Sequence, residues 1–316
     1  MDIRQLQYLV ALAREKHFTR AAQACNVTQP TLSGRIRQLE LELGVPIVER
    51  GQRYQGLTQE GERVLKWAQL ILNNWASMHQ GLAHLATSDF GLTGRLALGG
   101  IPSALPMIPY LTRDVRRLHP HINFTIMSLS SEEILRGLGD YSIDAGITYL
   151  DNEPIDDLLA TPLYTERYCL FVPEGHKMAE RQTITWRETA ELPLGLLTPN
   201  MQNRRIIDRA FRSVDCRPEP ALETNSVISL YSNVRLMGLA SVMPSYILQI
   251  LGNDPGLKAI PLTEPELAQS VGLVTQDRDP SAPLVRAFRE AAAAFSVRNF
   301  QQEAPKNGPY APANCD

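Results

Sequence analysis

The stretch Thr19 to Gly44, "TRAAQACNVTQPTLSGRIRQLELELG", constrains the fold more than any other part of the chain. On a helical wheel at ~100° per residue, Leu32, Ile36, Leu39 and Leu43 fall within ~60° of one another and form a ridge that must face a core. The opposite side is then set: Pro30, Gly34, Arg37, Gln38 and Leu41, edged by Thr31 and Ser33, with Gln29 near the helix start. A shorter helix over about Phe18 to Ala24 precedes it, with Ala22 small where two helices cross closely. Asn26 stands at the turn, where left-handed dihedrals are required. Two helices joined in this way make a helix-turn-helix. Upstream, Asp2 can cap a first amphipathic helix that places Leu6, Leu9, Val10 and Ala13 at helical spacing. Downstream, "IVERGQRYQGLT" reads as two short extended pieces around polar turn residues, a hairpin or wing.

The outward residues match what a DNA groove asks for. Gln can make paired hydrogen bonds to adenine, Thr and Pro can touch a thymine methyl, and Ser and Arg can hold phosphate or guanine. Residues 1–66 hold ten Lys/Arg against seven Asp/Glu, and the rest of the chain 21 against 27, so a basic head sits on an acidic body. A merely solvated helix face would account for polarity alone. It would not account for the Asn26 turn, the small Ala22 and the wing together.

Thr58 to Thr87 contains no Pro, and its apolar residues Val64, Ala68, Ile71, Trp75, Met78, Leu82 and Leu85 step by 4, 3, 4, 3, 4, 3. This heptad seam predicts a coiled-coil helix about 45 Å long at ~1.5 Å per residue, and hence a dimer. The alternative is a helix packed on its own domain. "SDFGLTG", Ser88 to Gly94, reads as a hinge. Beyond it, extended runs such as "RLALGGI", "INFTIM" and "DAGITY" alternate with helical ones, which predicts a parallel, helix-covered sheet folded into two α/β lobes with a cleft between them. The chain crosses between lobes near 160 and again near 267. The tail from Gln301, with three prolines, is expected to be disordered.

Cys25, Cys169, Cys216 and Cys315 are scattered, with neither a CxxC pair nor a Cys/His cluster, so no disulfide framework, metal site or cofactor is signalled. Reduced thiols in the cytoplasm are the default. The N-terminus is not a secretory signal and no run approaches the ~20 apolar residues of a membrane span. No nucleophile elbow, phosphate loop or H-E-x-x-H motif is present, and His119, His121 and His176 read as surface or packing residues, so no catalytic residues and no enzyme are expected.

The pieces "FTRAAQACNVTQPTLSGRIRQLELELGVPIVER" and "RGQRYQGLTQEG" resemble the winged helix-turn-helix of the LysR-type transcriptional regulators. The likeness extends more loosely to about residue 297. It implies an α/β fold with an N-terminal winged helix-turn-helix and a two-lobed, periplasmic-binding-protein-like effector domain. The expected limits are 1–66 for the head (helix-turn-helix about 18–43, wing about 47–57), 58–87 for the linker helix and 88–94 for the hinge. The effector-binding and oligomerisation domain then covers 95–300, with lobe I about 95–161 and 268–300 and lobe II about 162–267, before the tail, 301–316. The resemblance further implies a homodimer assembling to a homotetramer, binding to double-stranded promoter DNA, contact with RNA polymerase, and control by a small metabolite between the lobes. Its DNA-binding positions fall on Gln29, Pro30, Thr31, Ser33 and Arg37, and on the wing arginines Arg50 and Arg53, which also read as plain surface charges. Gly34 stands where relatives commonly carry Arg or Lys, with Arg35 as the substitute.

Small-molecule sites in two-lobed α/β domains form outside the carboxyl ends of strands, where helix N-termini point inward. That geometry selects Ser103, Ser130, Ser131, Thr148, Thr198, Asn200, Gln202, Asn225 and Ser226, which match the positions around the effector pocket of similar regulators. Ser131, Asn200 and Ser226 are also natural helix caps. Arg204 and Arg205, one turn into a helix, point to a carboxylate or other anion unless they lie on the solvent face. In "MGLASVMP", Ala240 replaces the second Gly of the family's G-x-G turn. A thiol-redox regulator remains open as an alternative function, as does a binding protein or enzyme without a DNA role.

Overall fold

The structure is a computed structural model that describes residues 1–49, 54–86, 91–151, 154–155, 157–250 and 254–295. Arg50, Arg53, Cys315, residues 88–90 of the hinge and the tail lie outside the described residues. The chain divides into two compact units, Met1–Gly91 with Gly139–Ser142, and Leu92–Leu138 with the chain from Ile143 onward.

In the first unit, α1 (Ile3–Glu15) starts at Asp2. The Asp2 carboxylate accepts from the Gln5 backbone N–H at 2.8 Å while the Gln5 side chain accepts from the Asp2 N–H at 2.6 Å. This capping box meets two otherwise unpaired donors at once. The short α2 (Phe18–Ala24) and α3 (Gln29–Leu43) follow, with Thr28 capping α3. Leu6, Leu9, Leu12, Ala21, Ala22, Leu32, Ile36, Leu39 and Ile47 form one small core. Leu43 is not part of it: the side chain is 40 % exposed, because the last turn of α3 runs past the helices it packs on and stops at Gly44 in the left-handed conformation.

The long α4 (Gln59–Ala86) has a seam of two characters. Ala68 is fully buried in the head core, with Val64 and Ile71 packed against it, so this half follows the packed-on-its-own-domain alternative. Farther along, Trp75, Met78 and Leu82 stay 43 %, 46 % and 54 % exposed. The side chain of Leu85 is outside the described residues.

The second unit runs β1 (Gly94–Gly100), α5 (Ile108–Leu118), β2 (Ile122–Ser128), α6 (Ser131–Gly139), β3 (Ala145–Tyr149), β4 (Leu158–Pro173), β5 (Ile184–Thr185), α7 (Trp186–Thr189), β6 (Leu194–Leu197) and α8 (Gln202–Ser213). It continues through β7 (Leu222–Thr224), α9 (Val227–Met237), β8 (Ala240–Pro244), α10 (Ile247–Ile250), β9 (Leu257–Thr263), β10 (Ala268–Gln276) and α11 (Pro283–Ala294). Strand order is β2-β1-β3-β10-β4-β8-β6-β7, with β9 beside β4 and β5 beside β9. The sheet is mixed rather than parallel. Pairs β1/β2, β1/β3, β6/β7 and β6/β8 are parallel, whereas β10 runs against β3 and β4, and β4 runs against β8 and β9. The reason is that β4 and β10 carry the chain between the two halves. β4 pairs with β10 through Arg167 and with β8 from Tyr168, so one strand belongs to both halves. Gly238 alone supplies the left-handed turn before β8, and Ala240 begins the strand buried, with its N–H on Pro193 O at 3.0 Å.

Candidate DNA-reading face and effector site

Asn26 adopts φ 54°, the left-handed turn that its side chain tolerates, and the Val27 N–H closes onto Ala22 O at 3.0 Å. Those bonds, with the buried ridge Leu32, Ile36 and Leu39, set the roll of α3. Gln29, Pro30, Thr31, Gly34, Arg37 and Gln38 are consequently exposed and Ser33 half-buried. Arg35 is partly engaged, 3.6 Å from the Asp2 carboxylate and 3.4 Å from the Gln38 amide oxygen. An added Cβ at Gly34 meets open space, so nothing in the fold requires glycine there.

The wing is tied to α3 by a residue that periodicity does not single out. Glu40 accepts from the N–H groups of Ile47 and Val48 at 2.8 and 3.0 Å. The far side closes through the Val48–Leu57 bridge and through Thr58, whose hydroxyl donates to Pro46 O at 2.6 Å.

The candidate effector residues divide into those brought together and those left apart. Ser103, Ser130, Ser131, Thr148 and Gln202 are buried, Thr198 and Ser226 half-buried, and Asn200 and Asn225 exposed. Thr148 donates to Ser131 Oγ at 2.9 Å. The cap of α6 is Ser130 rather than Ser131, since Ser130 and Glu133 exchange side-chain-to-backbone bonds at 2.8 and 3.3 Å. The Ser130 N–H and hydroxyl that donate to the Glu133 carboxylate hold its pKa below the ordinary value. Ser226 caps α9 through Ser229 N. Asn200 caps nothing, because α8 begins after Met201 with no side-chain cap. Among the described residues no hydrogen bond joins Thr198, Asn225 or Ser226 to the buried group.

At the centre of the buried group is Glu166, which is 0 % exposed. Tyr149 and Tyr168 donate to its Oε2 at 2.8 and 3.2 Å, and the Tyr246 hydroxyl lies 3.0 Å from its Oε1. Tyr246 also reaches Ser103 O, Tyr164 touches the Tyr246 hydroxyl at 3.5 Å, and Asn203 donates to the Tyr149 hydroxyl at 3.1 Å. Ser103 and Tyr149 come from the first half of the sheet, and Asn203 and Tyr246 from the second. The nest therefore joins the halves across β4.

Burial raises the Glu166 pKa against the pull of the hydroxyls, and burial together with the neighbouring carboxylate pushes all four tyrosines well above their usual value. A single Tyr246 proton cannot serve both Ser103 O and Glu166. When it goes to Ser103 O, the 3.0 Å contact with Glu166 loses its donor, which a protonated carboxyl would restore. The sequence holds a signal for this site in "YTERY", where Tyr164, Glu166 and Tyr168 alternate on one face of β4 while Thr165 and Arg167 are exposed.

The arginines behind the anion expectation have other partners. Arg204 is buried and paired, Nε to Asp208 at 2.8 Å and Nη1 to Glu223 at 2.6 Å, with Nη1 also on Leu197 O at 2.8 Å. Arg205 Nε donates to the Gln202 amide oxygen at 2.5 Å. The titratable group at the junction of the two halves is an acid, without a Lys, Arg or His within ion-pair distance among the described residues. A ligand that reaches this point meets an acid and its hydroxyls rather than a guanidinium.

The thiols do not converge either. Cys169 is buried on β4 between Met243 and Pro261 of the flanking strands, Cys216 is half-buried 3.5 Å from Val214 O, and burial pushes the Cys25 thiol up in the head. Among the described residues no His/Cys/Asp/Glu cluster could hold a metal ion, and no helix is long and apolar enough to cross a membrane.

Residues 3–62 match the family described as bacterial regulatory helix-turn-helix protein, lysR family, and residues 91–296 match the LysR substrate binding domain. A hydrogen peroxide-inducible genes activator of Haemophilus influenzae is 28 % identical over 94 % of this chain and 96 % of its own. The Escherichia coli DNA-binding transcriptional dual regulator OxyR is 27 % identical over the same shares. Full-length OxyR from Pseudomonas aeruginosa, solved as a cysteine-to-aspartate variant, superimposes with a TM-score of 0.74 at 27 % identity, covering 98 % of this chain and 99 % of that one. CbnR in complex with its target DNA superimposes at 0.67 and 18 % identity over 94 % and 100 %, a likeness of fold. The chain thus belongs to the LysR family: it is a DNA-binding transcriptional regulator with an effector-binding domain, and not an enzyme.

Proposed function

We propose that α3 enters the major groove of promoter DNA with Gln29, Pro30 and Thr31 on base edges, Ser33 and Arg35 on phosphates, and Arg37 on a base or its flanking phosphate. Arg50 and Arg53 of the wing complete the set on the backbone. The observation that carries this reading is the roll of α3, which buries Leu32, Ile36 and Leu39 and turns these polar side chains outward. Arg37→Ala is expected to cost about 1–3 kcal/mol of affinity with relaxed sequence preference, whereas Arg53→Ala lowers affinity evenly and flattens the salt slope by about one. Gel shifts on promoter and random duplexes over a salt series check it. Equal losses of discrimination in both variants would reverse the assignment.

The exposed stretch Trp75, Met78 and Leu82, with Trp75 edge-on to His79 at 4.6 Å, pairs two copies along α4, and two such dimers make the tetramer that meets RNA polymerase in the cytoplasm. Trp75→Asp is expected to halve the mass in sedimentation. Unchanged mass would remove the seam from the interface.

The effector enters between the halves of the second unit, against Ser103, Ser131, Thr148 and Gln202, with Thr198, Asn200, Asn225 and Ser226 on the surrounding loops. Glu166 and its hydroxyls favour a ligand that offers hydrogen-bond donors. Thermal shift against matched amines, polyols and carboxylates tests this, and stabilisation by carboxylates alone would overturn it. A thiol-based response to peroxide is the second reading, favoured by the hydrogen peroxide-inducible activators among the relatives. It requires that peroxide alter DNA binding and that a Cys216→Ser or Cys169→Ser variant lose the effect.

A further inference from the structure

The face of α8 that carries Arg204 opens onto a second concavity. It has a volume of about 310 Å³ and is lined by Arg204, Asp208, Arg212, Cys216, Arg217 and the rings of Phe211 and Pro218. Arg204, Asp208 and Arg212 recur every four residues and share one helix face. Arg204 is the floor, held by Asp208 and Glu223. At the rim, Arg212 donates only its Nε, to Asp208 O at 3.2 Å, and Arg217 makes no ion pair or hydrogen bond among the described residues. Two guanidinium groups thus face the concavity with no ion pair of their own, beside the Asp208 carboxylate that Arg204 holds.

The helix end accounts for one contact only: Arg212, a base in the last turn of α8, meets the carbonyl end through Asp208 O and keeps the rest of its fork free. The α8 carbonyls are already served: Phe211 O by Val214 N and Cys216 N, Arg212 O by Asp215 N, and Val214 O by Arg187 Nη2 at 2.7 Å. Both side chains are exposed, so water serves their free forks until a ligand with acceptor oxygens displaces it.

We propose that this pocket is a second ligand site, for a small organic oxyanion bound by Arg212 and Arg217 above the fixed Arg204. Planar guanidinium forks match carboxylate and phosphate oxygens alike. The volume equals roughly ten waters at ~30 Å³ each and lies at the small end of ligand pockets, so it takes a compact molecule. Phe211 and Pro218 supply an apolar wall for its carbon skeleton. Asn203, the neighbour of Arg204, points instead into the Glu166 nest, so the two sites flank α8 on different sides. Arg204 also donates to Leu197 O at 2.8 Å, at the end of the strand leading to Thr198 and Asn200, and so connects the pocket floor to the loop of the proposed effector site.

Cys216 provides the test, because its half-buried thiol lines the pocket. The full-length protein is alkylated with iodoacetamide and the modified cysteines are mapped by mass spectrometry, in inorganic phosphate, in citrate and in sodium chloride of matched ionic strength. At about ten times Kd, phosphate or citrate is expected to slow Cys216 alkylation roughly tenfold, in proportion to the sites left empty, while Cys25 is unaffected. Phosphate alone or citrate alone protecting would identify a phosphate ester or a carboxylate as the natural class. Arg212→Gln with Arg217→Gln should abolish protection, with the melting temperature in chloride and the DNA affinity unchanged. No protection of the wild type by either anion up to about 10 mM, the weak end of specific binding, overturns the proposal. Equal protection in the variant overturns it too. Neither outcome touches the Glu166 site or the DNA-reading face.

Discussion

Glu166→Ala is expected to destabilise the second unit by about 3 kcal/mol or more. The substitution takes the acceptor from Tyr149 and Tyr168 and one of two from Tyr246, all three buried, and each buried unpaired donor costs about 1–3 kcal/mol. Glu166→Gln keeps an acceptor oxygen, costs less, and isolates the charge. Because burial raises the folded pKa of Glu166 above its ordinary value of 4.5, the folded state binds this proton more tightly than the unfolded chain does. Stability from this group is therefore fully present below 4.5 and declines as pH rises towards the raised folded value. The Gln variant lacks that decline. Denaturation midpoints measured from about pH 4 to 8 should show the wild type losing ground to Glu166→Gln as pH rises. Parallel curves would mean that this carboxyl titrates as it does in water, and the account of the nest would fail.

Gly61→Ala is expected to unfold the head and abolish DNA retention while leaving the second unit folded. A Cβ at position 61 would stand 2.0 Å from the carbonyl oxygen of Ile47 and 2.9 Å from its carbon, both main chain. That carbonyl already accepts from Thr58 N at 3.0 Å, and Gly61 N donates to the Thr58 hydroxyl at 2.9 Å, so the start of α4 and the wing are pinned on either side. Relief requires the wing to move away and Ile47 to leave the core. Overpacking of this kind costs typically 1–3 kcal/mol or more, against at most about 1 kcal/mol gained in helix propensity, in a head whose core is small. Gel shift and the first step of thermal denaturation report the loss. Retained binding at an unchanged melting temperature would show that the two elements are not in contact at this point.

What could be read from residue order alone was whatever depends on neighbours within a turn or two. The limits of α2 at Phe18 and Ala24, the Thr28 start of α3, the Asn26 turn and the Asp2 cap follow from dihedral preference and side-chain reach to the next few N–H groups. So does the roll of α3, and with it the face offered to DNA, since the phase of a 3.6-residue period is a local property. Even there the pattern overran: Leu43 has the right phase but nothing stands opposite it, because phase is local and the extent of a core is not.

Tertiary structure decided the rest. Val64, Ala68 and Ile71 share a seam with Trp75, Met78 and Leu82, yet the head lies against the first three only. The alternation of strands and helices could not announce that β4 and β10 reverse direction, because pairing direction depends on where the chain goes between strands. The Glu166 nest is the strongest case. Glu166 gathers the hydroxyls of Tyr149 and Tyr246 and, through Tyr246, the carbonyl of Ser103, each supplied by a different segment, and periodicity places it inward without saying what awaits it. Whether a buried acid is charged, and what its site will accept, is set by the dielectric and the donors around it. Those come into existence only when distant strands have met.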